Sequence, residues 1–265
     1  MRRERAGALA VAAGALLWSL AGVGIKAVPD APLTVTFYRS LFAAIALFVV
    51  VRKPLPLRAN VLVAVVSYAA CLTTFVIATK WTTAANAIFL QYLSVIWVAL
   101  LSPLIVHERV HSRDVIAVIA ALTGMECFFL GHLTRRGMHG NLMAVLSSIF
   151  FAVVILSLRR EQTDARAIVA WGNAACVLLL LPFTPLQVTA RSIAILAFLG
   201  VAQLAAGYVL FSYGIARIRA TQASLIAMIE PICNPMWVLL LTRERPSSYT
   251  IIGAVIVLTT IIWHS

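Results

Sequence analysis

Negative charge is scarce in this sequence: 9 Asp and Glu stand among 265 residues, against 21 Lys and Arg. Charged residues of both signs reach only 11% of the chain, where a soluble domain carries roughly 25%. Polar linkers and low-complexity stretches are also missing, which leaves no room for a sizeable soluble catalytic domain. A Gly-x-Ser-x-Gly elbow and a phosphate-binding Gly-Lys-Ser/Thr loop are both absent, which disfavours serine-hydrolase chemistry and ATP-driven work by this chain alone. The four cysteines, Cys71, Cys127, Cys176 and Cys233, lie inside apolar runs. They read as buried free thiols and carry no message about redox compartment. The net charge of +12 suits nucleic acid in principle, but its Lys and Arg sit between apolar runs with no basic stripe or aromatic platform. No nucleic-acid partner is expected.

What fills the chain is apolar: 62% of residues are hydrophobic and the mean hydropathy is +0.99. No soluble core of this size hides so much apolar side chain, whereas lipid lets the outer face be apolar too. A spanning helix needs about 20 such residues. On that measure the expected spans are 6–28, 33–51, 60–80, 83–106, 113–131, 139–158, 165–182, 191–214, 220–241 and 248–264. The breaks between them carry turn chemistry or charge, as at Pro29-Asp30-Ala31-Pro32 and Arg52-Lys53-Pro54. Arg2, Arg3 and Arg5 before the first run imitate a signal peptide, but the run to Val28 is too long, and it reads as an uncleaved first helix. Most of the 21 Lys and Arg fall on the side of the N-terminus. The expected orientation therefore places both termini in the cytoplasm, compatible with a bacterial inner membrane.

The chain repeats itself weakly. Glu108-Arg109 ends the fourth span and Glu244-Arg245 the ninth, and the offset of 136 between them also aligns Phe75 with Phe211, Asn86 with Gln222 and Ile96 with Ile232. Five spans per half is an odd number, so the second half inserts upside down. Inverted repeats recur in secondary transporters, where two bundles rock about a midplane site.

Thr83-Ala84-Ala85-Asn86 through Gln91-Tyr92 to Trp97, running on to His107-Glu108-Arg109, resembles the fourth helix of the EamA type of drug/metabolite transporters. Glu230-Pro231 followed by Arg243-Glu244-Arg245 resembles the matching ninth helix, and Arg39 in Phe37-Tyr38-Arg39-Ser40 matches an arginine of the second helix. The resemblance covers nearly the whole chain. It implies an all-α membrane protein of ten helices in two inverted five-helix repeats, 1–133 and 134–265, with a central cavity, transport of small metabolites, and helices five and ten at the periphery. One departure is Val95, where that family usually has proline.

Three ionisable groups fall inside spans, where each costs about 2.5–3.5 kcal/mol on the gentlest scale. Glu230 precedes Pro231, which frees a carbonyl near Ile226 or Ala227. A carboxylate beside such a carbonyl is a candidate proton or cation site, or a packing lock against Gln222 or Arg39. Arg39 is a candidate for an anionic substrate group or for a structural ion pair. Glu126, on a peripheral helix, suits snorkelling or a subunit contact. The polar and aromatic candidates for substrate binding are Trp18, Tyr38, Asn86, Gln91, Tyr92, Trp171, Tyr208, Gln222 and Asn234, with Asn86 and Gln222 as symmetry mates. Each alone is as suited to gluing helices together as to holding a ligand. Small residues in the first span, including Gly7, Gly14 and Gly24, predict close helix packing.

His107-Glu108-Arg109-Val110-His111 spells a zinc H-E-x-x-H pattern, which needs a helix to face both imidazoles toward one ion. Its place at a helix end and the recurrence of Glu-Arg without histidines as Glu244-Arg245 argue against it. The expectation is a secondary transporter, a preferred exporter, of a small organic metabolite such as an amino acid or amine, with no cofactor, no metal and no catalytic residue. Its partners are the substrate and the lipid bilayer, and a homodimer is compatible. An intramembrane zinc protease and a receptor that binds without transporting stay open as alternatives.

Overall fold

The computed structural model describes residues 2–51, 53–128, 137–161, 165–185, 187–233 and 248–264. Secondary structure among them is entirely helical, as lipid requires of an open chain whose backbone must satisfy itself. We number the helical segments α1 (Arg2–Ala27), α2 (Pro32–Val50), α3 (Ala59–Trp81), α4 (Asn86–Ile105), α5 (Ser112–Phe128), α6 (Met138–Arg160), α7 (Ala165–Phe183), α8 (Ala190–Ile215), α9 (Ala220–Cys233) and α10 (Ser248–His264). Among the described residues, 7 helices are long and apolar enough to cross a membrane, namely α1 to α4 and α6 to α8. The segments α5, α9 and α10 are shorter. The second half of the expected ninth span, with Asn234, Pro235 and the Arg243-Glu244-Arg245 run, lies outside the described residues.

Helix starts follow local chemistry. Pro32 occupies the first turn of α2, where a missing N–H is harmless. Thr83 accepts from the Asn86 N–H at 3.0 Å and so caps the turn leading into α4. Thr189 accepts from the Ser192 N–H at 3.2 Å at the start of α8. The cap of α9 comes from far away in sequence: the Ala220 N–H donates to the Glu108 carboxylate at 2.9 Å.

Three helices are broken. In α1 the ladder tightens at Leu20, whose N–H donates to Leu17 O at 3.3 Å. In α4 the N–H groups of Leu93, Val95 and Ile96 each reach back three residues instead of four. In α9 the Met228 N–H does the same, to Leu225 O at 3.0 Å. Tyr92 and Met228 are 136 positions apart, the offset of the sequence repeat. The α4 break therefore forms with Val95 in place of proline, at the position equivalent to the α9 break. A further irregularity is a π-helical stretch in α8, Leu199–Ala206, of the kind often found at functional sites.

Packing rests on backbone approach. Helix α1 runs antiparallel along α8, and the small residues anticipated in the first span lie on that seam. A Cβ on Gly14 would stand 2.9 Å from Gly207 O, and one on Gly214 would stand 2.6 Å from Gly7 O. Helices α5 and α10 pack chiefly on each other, with Gly124 against Ile256 and Val257. They touch the rest of the bundle mainly through the ends of α4 and α9.

The seam carries a test. Gly214→Ala gains helix propensity of roughly 1 kcal/mol but drives a methyl into the Gly7 carbonyl. The clash should win, lowering unfolding stability by about 1–3 kcal/mol in a denaturant titration in mild detergent.

Candidate functional site

A cavity at the centre of the bundle is lined by residues of seven helices, among them Trp18 of α1, Arg39 of α2, Gln91 of α4, Gln203 and Tyr208 of α8, and Glu230 of α9. Its volume is about 30 Å³, room for one or two waters. Arg39 is 3% exposed and Glu230 5% exposed, so a basic and an acidic group share one buried compartment. The Arg39 guanidinium donates from Nη2 to Gln203 Oε1 at 2.9 Å. Its Nε has no acceptor among the described residues. Gln203, carried on the π-helical stretch, in turn donates to Trp18 O at 3.4 Å, beside the break in α1.

The breaks in α4 and α9 meet. Pro231 has no N–H, so the carbonyl four residues earlier, Ala227 O, loses its helical donor. Tyr92 reaches across from the α4 break and places its hydroxyl 2.7 Å from that carbonyl. The same hydroxyl lies 2.7 Å from Glu230 Oε2. One phenolic proton thus stands between two acceptors, unless Glu230 carries a proton of its own.

Aromatic rings close the other side. The ring of Trp18 stands 4.6 Å from Tyr208, 4.9 Å from Phe211 and 5.9 Å from Phe151, and Tyr208 stands 4.8 Å from Tyr68. Gly207 makes this possible, since a Cβ there would come within 2.5 Å of the Trp18 indole nitrogen. Gln91 is held by a donor bond to Ser147 Oγ at 2.9 Å.

Other candidates lie elsewhere. Asn86 donates to Asn141 Oδ1 at 2.9 Å and Thr82 Oγ1 at 3.2 Å, fastening the α3–α4 turn to α6 near one end of the bundle. Its repeat mate Gln222 borders a pocket with His111, Asp114 and Arg219 at the opposite end. Tyr38 packs edge-on against Phe37 at 5.1 Å and does not border the central cavity. Trp171 packs on Phe48 and donates to Lys53 O at 3.4 Å, near the end of α2. Glu126 is exposed. Asn234 lies outside the described residues. Gln203 and Phe151 were not singled out, although a glutamine inside an apolar run is itself the signal that finds Gln203.

The H-E-x-x-H stretch has no helix beneath it. Residues 107–111 are irregular and His107 has a φ of 57°, so the two imidazoles do not share a helical face. Glu108 instead pairs with Arg159 at 2.7 Å while capping α9. Close by, Asp114 is gripped by Arg219 at 2.9 Å and by His264 at 2.7 Å. Among the described residues no group of three or more His, Cys, Asp or Glu is placed to hold a metal ion.

Comparison with known proteins agrees with this architecture. The model of the EamA-like transporter family matches twice, over residues 5–130 and 138–265. An uncharacterized transporter of Archaeoglobus fulgidus is 27% identical over 240 residues, covering 88% of this chain and 86% of that protein. A second uncharacterized transporter of the same organism is 23% identical over 193 residues, covering 68% of this chain and 66% of its own length. A crystal structure superposes with a TM-score of 0.78 over 96% of both chains at 17% identity, a likeness of fold.

Tyr92→Phe tests the crossing of the broken helices. It keeps the ring and removes the only donor that the described residues offer to Ala227 O from a side chain. An orphaned carbonyl and an unpartnered buried carboxyl should cost about 1–3 kcal/mol, read as a lower unfolding midpoint. An unchanged midpoint would show that the crossing carries no load.

Proposed function

The chain belongs to the EamA-like transporter family, and on that premise we propose that it is a secondary transporter of a small amphipathic metabolite, an amino acid or amine, coupled to protons through Glu230. In this reading ten helices cross the membrane as two inverted halves, 1–133 and 134–265, with both termini in the cytoplasm of a bacterial inner membrane. Alternating access moves the halves about the central cavity, and export is the working direction.

The observation that carries the reading is the shared Tyr92 hydroxyl, 2.7 Å from both Ala227 O and Glu230 Oε2. A protonated Glu230 donates to Tyr92, and Tyr92 donates to Ala227 O, so every group is satisfied. An ionised Glu230 competes for the single phenolic proton, and the carbonyl at the α9 break is left without a donor. Protonation and the integrity of the break are thereby linked, which is what a coupled transporter needs. Arg39 supports the substrate assignment. Its unpartnered Nε and its planar fork suit a carboxylate, and the Trp18–Tyr208 cluster offers an apolar or aromatic body its complement. A cavity of about 30 Å³ is too small for either, so substrate enters only when the halves part.

Proteoliposomes given a mixed metabolite pool, with and without a pH gradient, test this by mass spectrometry. The expected result is saturable enrichment of one amino-acid or amine class that responds to the gradient. Glu230→Gln should abolish the response, slowing gradient-driven flux by roughly tenfold or more. Wild-type rate and pH response in Glu230→Gln would remove Glu230 from the coupling. No enrichment of any solute by folded, inserted protein would remove transport itself.

A further inference from the structure

A second cavity lies away from the central one, at the end of the bundle where α2 finishes, α7 starts and α8 finishes. Its volume is about 410 Å³. Lys53, Arg166 and Arg217 converge on it, together with Ser212, Tyr213 and Val51, and no carboxylate borders it among the described residues. Two of these cations, Arg166 and Arg217, are handled differently from their neighbours. Arg159 is paired with Glu108, Arg219 with Asp114, and Arg58 and Arg160 with Glu161. Arg166 and Arg217 have no carboxylate partner among the described residues. Arg217 is held in place instead of neutralised: its guanidinium carbon lies 3.4 Å over the Tyr213 ring and its Nη1 donates to Tyr213 O at 2.5 Å.

Arg166 and Arg217, with no carboxylate partner among the described residues, raise each other's energy around one hollow, and an anion placed between them offsets that repulsion. Two guanidinium forks and an ammonium suit a tetrahedral phosphate, which accepts several charge-assisted bonds at once. Ser212 adds a second, independent sign. It borders the cavity at 4% exposure, and its buried hydroxyl has no partner among the described residues. The described part of α7 begins at Ala165, on the cavity wall, so the positive end of a helix dipole adds to the field. The rim is apolar on the α2 side, where Val49 and Val50 are 69% and 63% exposed.

We propose that this cavity is an anion site for a phosphate group, recognised by Arg166, Arg217 and Lys53 and separate from the substrate cavity. Phosphate reaches it from either of two sources, a soluble phosphate or the headgroup of an anionic phospholipid whose chains lie along Val49 and Val50.

The test uses the full chain in phosphatidylcholine nanodiscs. In one arm inorganic phosphate is titrated by calorimetry. In the other, phosphatidylglycerol is added to the nanodisc and the lipid retained on the protein is read by native mass spectrometry. Saturable binding is expected in at least one arm, and the arm that responds identifies the source. The double substitution Arg166→Gln, Arg217→Gln should weaken it by at least about tenfold. Lys53→Gln, a milder change at an exposed side chain, should weaken it by a smaller factor. Arg160→Gln removes a cation of the same face outside the cavity and should leave binding unchanged. Absence of saturable binding in both arms overturns the proposal. So does wild-type binding in both the double variant and Lys53→Gln, or an equal loss in Arg160→Gln, which would mark a diffuse charge effect instead of a site.

Discussion

Everything central in this molecule follows from the demand that backbone polar groups find partners where water does not reach. An unbroken helix meets that demand by itself. A broken one does not, and α1, α4 and α9 are all broken near the middle of the bundle. The released carbonyls are answered by side chains of other helices: Ala227 O by the Tyr92 hydroxyl, and Trp18 O by the Gln203 amide. These two bonds fix which helices cross there. They also bring the groups next to them into one compartment, so Glu230 and Arg39 share a cavity because the breaks have to be mended by neighbours.

The bundle is closed at both ends by polar contacts between its halves. At one end Glu108 and Asp114, from the first half, hold Arg159 and Arg219, from the second. At the other, Asn86 and Thr82, from the first half, hold Asn141, from the second. Polar contacts at a bundle end exchange partners for water as that end opens, although Asp114, buried at 1% exposure, loses more than an exposed ion pair does. An apolar seam such as α1 against α8 has no such replacement. Under the proposed alternating access, polar ends and a tight apolar interior suit halves that part at alternate ends.

Much of this was legible in the sequence. Apolar run lengths located the helices, since the bilayer sets how long a spanning helix must be. Pro231 announced a freed carbonyl at Ile226 or Ala227, and the structure places it at Ala227. The offset of 136 aligned the two halves but did not say whether the fourth helix would break with Val95 where the ninth has Pro231, and the structure shows that it does. What stayed hidden were partners. Nothing local says that Tyr92 mends Ala227, because that pair is 135 residues apart. Polarity within a span does not tell a cavity from a helix end, which is why Asn86 and Gln222 stood beside Gln91 as equals. The H-E-x-x-H spelling carried no information about backbone, and the backbone there is not helical.

The chemistry of the proposed site has a direction built into it. A carboxylate seated on Arg39 leaves Glu230 free to keep its proton, since the two anions would repel in a compartment of low dielectric. An amine seated on Glu230 does the opposite, because the ammonium pairs with an ionised carboxylate and excludes the proton. An amino acid brings both groups, and in the proposed reading the ammonium, paired directly with Glu230, outweighs the carboxylate held on Arg39. Its binding displaces the proton, and its departure lets one return. Exchange of a proton for an ammonium at one carboxylate is antiport, and with protons more abundant outside the cell it drives the metabolite outward. Under the proposed coupling, export is the direction to expect if an amine competes with the proton at Glu230, the only buried carboxylate of the central cavity among the described residues.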